Sequence, residues 1–275
     1  MPARHCAGCP PSSSRQRHGC RPVPASGVIA RLFKPSSAIT FGFYAPPHTV
    51  CQFIGMGPRV SRIFVIGAAG KIGRALVQQA AARGHRVSAM HRSAEQSADL
   101  SALDAQPVQG DLLQLQPDAL GTLMQDHDVV VFTAGAGGKG GPAMTDAIDG
   151  RGLELSVAAA VQAQVPRFLL VSAFPEAGRG KHLSDTFENY MAVKKAADVH
   201  LASSSLDWVI LRPGTLTDAA GTGRVHAGLA IAYGEVPRAD VAAALVALVE
   251  QPQVRRRIIE LTGGRTPVFE ALHQF

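Results

Sequence analysis

The stretch Arg62–Arg74, RIFVIGAAGKIGR, constrains the fold more than any other part of this chain. Ile63 to Ile66 is an apolar run with β-branched residues, the composition of a buried strand. It runs straight into Gly67-Ala68-Ala69-Gly70-Lys71-Ile72-Gly73. Ile72, Leu76 and Ala80 then recur at steps of four, which makes a helical stripe, and Gly84 marks the helix end. In a GxxGxxG turn each glycine has a mechanical role. Gly67 lets the chain turn sharply, Gly70 leaves room for a pyrophosphate against the backbone, and Gly73 lets the helix pack close to the sheet. The helix N-terminus offers free N–H groups and the positive end of its dipole to phosphate. Strand, turn and helix in this register predict dinucleotide binding.

From Arg62 onward strand and helix patterns alternate. Strands are predicted at Arg86–His91, Val108–Asp111, Asp128–Thr133, Arg167–Ser172, Asp207–Leu211 and Arg257–Leu261. Helices are predicted at Pro117–Gln125, Ala143–Gln164, Asp185–Ser203 and Ala239–Glu250, with a last helical turn at the end. Apolar strands separated by helices mean an α/β fold, a doubly wound parallel sheet of Rossmann type in a single domain. In such sheets ligands bind at the carboxyl ends of the strands. The unusual residues gather there: the glycine turn, His91-Arg92, Asp111, Ala134–Gly138, Ser172 and Pro213-Gly214.

Composition separates residues 1–57 from this pattern. The net charge is +6, yet no Asp or Glu occurs before Glu95, so the basic excess belongs to the N-terminal third and describes no nucleic-acid surface. Cys6, Cys9, Cys20 and Cys51 all precede the glycine turn, and their spacing with His5 and His18 matches no zinc finger, so no metal is expected. The segment, rich in Pro, Ser, Arg and His, reads as upstream sequence wrongly translated ahead of a start at Met56. A disordered tail and a targeting segment are the competing readings. The domain is therefore expected over 58–275. No apolar run reaches the roughly 18 residues that span a bilayer, and a core without cysteine fits a reducing compartment. The expected location is the cytoplasm, with organelle import through the N-terminal segment as the alternative.

The end of the second strand bears on the cofactor. A carboxylate there suits NAD, and an Arg suits the 2′-phosphate of NADP. This chain reads Ala89-Met90-His91-Arg92-Ser93, with no acid. Arg92, assisted by Arg74 in the first turn of the phosphate helix, points to NADP, against the alternative of solvated surface arginines. Asp111 is placed to accept from an adenine amine, or is simply a turn residue. Tyr190 and Lys194 stand four apart in a helical segment and share a face. A lysine ammonium there favours the phenolate of a tyrosine whose usual pKa is about 10, making Tyr190 a proton donor or acceptor. Ser172 is placed to hydrogen-bond a substrate carbonyl. An exposed helical Tyr–Lys pair is the alternative.

Taken in order, GAAGKIG, GDL at Gly110–Leu112, AIDGRG at Ala147–Gly152, RFLLVSAF, YMAVKKAAD, WVILRPGTL and VPRADVA resemble the short-chain dehydrogenase/reductase superfamily. The likeness is to its atypical, epimerase-like and NmrA-like branch, and covers about Ser61 to Leu272. The resemblance implies strand order 3-2-1-4-5-6-7, NADP with NAD as the alternative, and a Ser172/Tyr190/Lys194 active centre. It implies Asp149 where other members carry Asn. The cofactor lining would be Gly67, Ala69, Gly70, Lys71, Ile72, Gly73, Arg74, Arg92, Asp111, Leu112, Ala134, Gly135, Ala136, Lys194 and Pro213. Only residues 215–275 follow Gly214, which is short for a nucleotide-sugar cap, so a small substrate, or none, is expected. The implied activity is an NADP-dependent oxidoreductase or epimerase-like reaction on a small carbonyl or alcohol. The alternatives are a non-catalytic NADP(H) sensor and a flavin- or biliverdin-reductase-like enzyme. A homodimer or a regulatory partner protein is the expected association, with neither nucleic acid nor membrane.

Overall fold

Strand β1 (Arg62–Ile66) sends Ile63 and Val65 to one face and Phe64 and Ile66 to the other, and all four are buried. A strand buried on both sides needs a sheet covered by helices on both faces. The computed structural model describes residues 60–175, 177–178 and 183–275, and the expectations made for residues 1–57 lie outside these. From β1 the chain enters helix α1 (Lys71–Ala82), then β2 (Arg86–His91), α2 (Gln96–Ser101), β3 (Gln106–Gln109) and α3 (Pro117–Met124). Next come β4 (Val129–Phe132), α4 (Gly141–Thr145), a π-helical turn (Asp146–Arg151), α5 (Gly152–Gln162), β5 (Arg167–Val171) and α6 (Asp185–Ala202). The C-terminal part holds β6 (Asp207–Pro213), β7 (Thr215–Thr217), β8 (Arg224–Gly228), β9 (Glu235–Pro237), α7 (Arg238–Glu250), β10 (Arg257–Gly263), β11 (Thr266–Pro267) and α8 (Val268–His273).

Among the described residues the main sheet has nine strands in the order β11-β8-β10-β6-β5-β4-β1-β2-β3. From β3 to β10 every pairing is parallel, and this is the expected seven-strand order. β8 and β11 extend it with antiparallel pairings. β7 and β9 form a separate parallel pair. One core layer packs α1 and α7 on Ile63, Val65, Val131, Val209 and Leu261. The other packs α3, α5 and α6 on Phe64, Ile66, Phe132, Phe168 and Ile210.

Two boundaries differ from the sequence reading. The third strand is shifted to Gln106–Gln109 and contains Pro107, which an edge strand tolerates because its missing N–H leaves no ladder bond unmade. Asp111 consequently lies beyond the strand. The single helix expected over Ala143–Gln164 is two α-helices joined by the π turn. The extra residue in that turn rotates the next helix relative to α4, and Asp149 within the turn is buried.

At the amino end of the sheet Arg167 is buried and donates to Asp207 and to the carbonyls of Leu248 and Val254, tying β5 to the end of α7.

The glycine turn is defined by contacts no side chain could share. Gly67 has φ +83, and a Cβ on it would lie 2.6 Å from the Ala134 nitrogen, so β1 and β4 leave the sheet side by side. A Cβ on Gly73 would lie within 2.3 Å of the Gly67 carbonyl oxygen and 2.8 Å of Ala68 Cα. Gly73 therefore lets α1 close onto its own turn, where the sequence pointed to the sheet. Gly84, past the helix end, has φ +84 and returns its N–H to Ala81. Gly73→Ala is expected to destabilise the fold by about 1–3 kcal/mol in urea unfolding, as overpacking against rigid backbone does. A loss below about 0.5 kcal/mol would contradict the packing described.

Candidate active site

The carboxyl ends of β1, β4, β5 and β6 open on one edge of the sheet. At the first, α1 begins with Gly70 as its N-cap, in extended conformation and with no side chain closing the helix end. The N–H groups of Lys71, Ile72 and Gly73 are thus left without intrahelical acceptors, and no acid sits in the first turn. A Cβ on Gly70 would meet only the Gly67 carbonyl oxygen, at 3.2 Å, so the side chain is missing where the protein itself leaves space. Gly137 and Gly138, both at positive φ beyond β4, also face open space. These are the features a dinucleotide pyrophosphate requires. Lys71 Nζ reaches Asp218 at 2.5 Å, and Arg238 holds the same carboxylate at 2.7 Å. The Lys71 hydrogen bond, then the two cations, hold the Asp218 carboxyl below the usual range.

The two arginines proposed for the 2′-phosphate are in different states. Arg74 is paired with Asp99 of α2 at 2.9 Å, so its assistance requires exchanging that partner. Arg92 is exposed and its side chain has no hydrogen bond among the described residues. Its backbone N–H and that of Ser93 both donate to Gln96 Oε1, which fixes the turn that presents it. Asp111 uses Oδ1 to accept from the Leu113 N–H at 3.0 Å, as a turn residue does. Leu112 is partly buried in the core beside Gly152.

The chemistry-bearing groups meet around Lys194, whose side chain is buried. Its ammonium donates to the Val171 carbonyl at 3.0 Å and to Asp149 Oδ1 at 3.5 Å. Asp149 Oδ2 accepts the Ala136 N–H at 2.9 Å, and a Cβ on Gly135 would crowd Oδ1 at 3.0 Å. The π turn, the β4 loop and α6 are thus pinned together by one carboxylate. Asp149 accepts from both neighbours, as a carboxylate, which cannot donate, must. Ala136, proposed as a cofactor ligand, has its N–H committed to Asp149. Pro213 ends β6, and Gly214 next to it donates its N–H to Leu261.

Tyr190 differs from expectation in its electrostatics. Its phenol is pushed up to about 12, first by burial and then by the carboxylates of Asp149 and Asp198. Lys194 does not bring it toward neutrality here, because that ammonium is engaged by Asp149 and Val171. Tyr190, Lys194 and Asp198 stand at successive steps of four on α6. Asp198 and its partner Arg212 are the site residues that the sequence reading missed. Arg212 places Nε and Nη2 at 2.9 and 2.8 Å from Asp198 Oδ2. Burial raises the Asp198 carboxyl, while the Ser172 hydroxyl and Arg212 pull the other way, with Lys194 adding a smaller effect. The i+8 spacing from Tyr190 was the available signal for Asp198. An Arg at a strand end gave no equivalent signal for Arg212.

Comparison with known proteins places this geometry in context. Residues 67–252 match the family described as NAD(P)H-binding. The uncharacterized sugar epimerase YhfK of Bacillus subtilis is 35% identical over 212 residues, which is 77% of this chain and 98% of YhfK. A proposed NAD-dependent epimerase/dehydratase of Bacillus halodurans superposes with a TM-score of 0.72 at 30% identity, over 78% of this chain and 100% of that one. ChuY, an anaerobilin reductase of Escherichia coli O157:H7, superposes with a TM-score of 0.62 at 25% identity, over 74% and 97% of the two chains. A glycine turn without side chains at its contacts, a helix end open to phosphate and the Lys194 cluster sit together at one edge of a 3-2-1-4-5-6-7 sheet. The chain belongs to the NAD(P)H-binding family, with the fold of the atypical short-chain dehydrogenases/reductases.

Proposed function

We propose that the protein is an NADPH-dependent reductase of a small carbonyl compound, with Tyr190 as the proton donor. The observation that carries this is the state of Tyr190. A phenol pushed up to about 12 is fully protonated at neutral pH, so it carries the proton that a reduction must deliver and is not available as a base. That favours reduction, in which an oxygen must gain a proton, over an epimerisation that begins with proton removal. The glycine turn and the open N-terminus of α1 would hold NADPH, which would supply the hydride for the carbonyl carbon. The proton on Tyr190 goes to the carbonyl oxygen, and Tyr190 regains one from solvent. Lys194 holds the loop geometry through Val171 and Asp149, and reaches the ribose in this reading. Ser172 and Asp149 complete the centre. Similarity to ChuY supports a reductase, whereas similarity to YhfK supports only the broader epimerase-like class.

NADP is favoured over NAD because β2 ends without an acid and Arg92 is exposed with its guanidinium free of hydrogen bonds among the described residues. Arg92→Ala is expected to weaken NADPH binding about ten- to a hundredfold, the loss of a charged hydrogen bond of about 1.5–3 kcal/mol, and to leave NADH binding little changed. Equal losses for both cofactors, read by fluorescence titration, would remove the assignment.

Tyr190→Phe is expected to keep NADPH affinity and to lower carbonyl turnover about 10²–10⁴-fold, the usual worth of a general acid. The test is NADPH oxidation against a panel of small aldehydes, ketones and quinones. Undiminished turnover would transfer the acid role away from Tyr190 and favour flavin-reductase-like chemistry, in which the protein only positions donor and acceptor.

A further inference from the structure

The amino end of the sheet, opposite the glycine turn, holds a cleft of about 750 Å³ between the end of α5, the loop before β6 and the loop before β10. Ligand pockets span about 300–1,000 Å³, so the cleft has the size of a small-molecule site. Three consecutive arginines, Arg255, Arg256 and Arg257, line it, and all three are exposed. The one acid among its lining residues is Asp207, whose carboxylate is already paired with Arg167 at 3.0 Å. None of the three arginines has an ion-pair partner among the described residues, and Arg255 has no side-chain hydrogen bond there either. Arg256 Nη2 donates to the Ser205 carbonyl and Arg257 Nη1 to the Arg256 carbonyl, both at a long 3.3 Å. The carbonyls at the end of α5 do not engage them, since Ala159, Ala160 and Val161 accept from the N–H groups of Ala163, Val165 and Gln164. Three like charges are thus left facing one cleft, where each raises the energy of the others and an anion lowers it.

We propose that this cleft is a second binding site, for a phosphate monoester carried on a small apolar body. A guanidinium gives paired, charge-assisted hydrogen bonds whose planar geometry matches phosphate oxygens. A phosphate monoester brings two negative charges and three terminal oxygens to the three cations, where a carboxylate brings one charge and two oxygens. Apolar side chains supply part of the wall, with Val161 44% exposed beside Pro166 and Leu206, which suits a ligand that is more than a bare ion. The backbone of Arg256 adds to the argument. It stands at φ +50, a left-handed conformation that glycine or asparagine adopts at less cost, and its N–H is held by the Trp208 carbonyl at 2.7 Å. A long cationic side chain is therefore kept at a position where the fold alone favours glycine. Because β5 and β6 separate this cleft from the strand ends that face the cofactor, both sites can be filled at once.

The test titrates phenyl phosphate, inorganic phosphate and benzoate into the full chain by calorimetry, with NADPH saturating so that the phosphate turn is closed to the probes. Phenyl phosphate is expected to bind once per chain, about tenfold or more tighter than either of the other two, which lack its apolar body or its second charge. Arg255→Gln combined with Arg257→Gln is expected to weaken it about ten- to a hundredfold, with NADPH affinity and melting temperature unchanged. Val161→Asp, an exposed helical position that tolerates the change, sets a carboxylate in the cleft wall and is expected to weaken it to a similar degree. Arg256→Gly removes a guanidinium and suits the left-handed backbone, so it is expected to weaken phenyl phosphate while keeping or raising the melting temperature. A lower melting temperature with unchanged binding in Arg256→Gly would make that arginine purely structural and overturn the proposal. So would absence of phenyl phosphate binding to the NADPH-loaded protein, equal affinity for the three probes, or wild-type affinity in the double variant or in Val161→Asp.

Discussion

The Lys194 ammonium is the charge on which the site depends. A buried ammonium is stable only when its charge and its three donors find partners, and removing one partner from such a pair costs about 3–5 kcal/mol. Lys194 finds the Val171 carbonyl at the end of β5 and Asp149 on the π turn. The second oxygen of Asp149 holds the Ala136 N–H in the loop after β4. One buried cation therefore determines how three segments meet, and it does so beside the glycine turn, because Gly67 brings the ends of β1 and β4 into backbone contact. Without the π turn, Asp149 would be rotated off this position on a regular helix. The irregularity in the fold and the charge in the site are thus parts of one arrangement.

That arrangement has an electrostatic consequence. With Lys194 engaged by Asp149, and with Asp198 one turn further along α6, Tyr190 looks onto two carboxylates as well as a partly apolar environment. The phenol is held in its neutral form. The second carboxylate is itself stabilised by Arg212 from β6. Two acidic and two cationic side chains meet there, so the cluster is close to neutral overall, and its effect on Tyr190 comes from proximity and not from net charge. A phenol held this way keeps its proton at neutral pH.

Much of this was readable in the amino-acid sequence. The parallel sheet follows from the alternation of apolar strands with helical stripes, its strand order from the resemblance to the short-chain dehydrogenases/reductases, and the phosphate turn from Gly67, Gly70 and Gly73. Ser172, Tyr190 and Lys194 were legible because strand ends and i, i+4 spacing are local properties. The short strands β7, β8, β9 and β11 and the helix α2 were not, since each is too brief to show a period and is held by tertiary pairing. The π turn was invisible for a related reason: nothing in DAIDGR breaks a helical pattern. The commitment of Arg74 to Asp99, of Ala136 to Asp149 and of Lys71 to Asp218 is set by residues distant in sequence or by loop geometry. So is the direction of the Tyr190 shift, which reverses the expectation drawn from Lys194 alone because Asp149 lies between the motif and its consequence.

The account turns on the protonation state of Tyr190, which ultraviolet difference titration measures directly. The phenolate absorbance of the wild-type protein, less that of Tyr190→Phe, reports this side chain alone. The account predicts no phenolate from Tyr190 as the pH passes its ordinary pKa of 10.0, with ionisation delayed to about 12, and an earlier onset in Asp149→Asn, where one of the opposing carboxylates is gone. Ionisation of Tyr190 at or below 10.0 in the wild-type protein would contradict it.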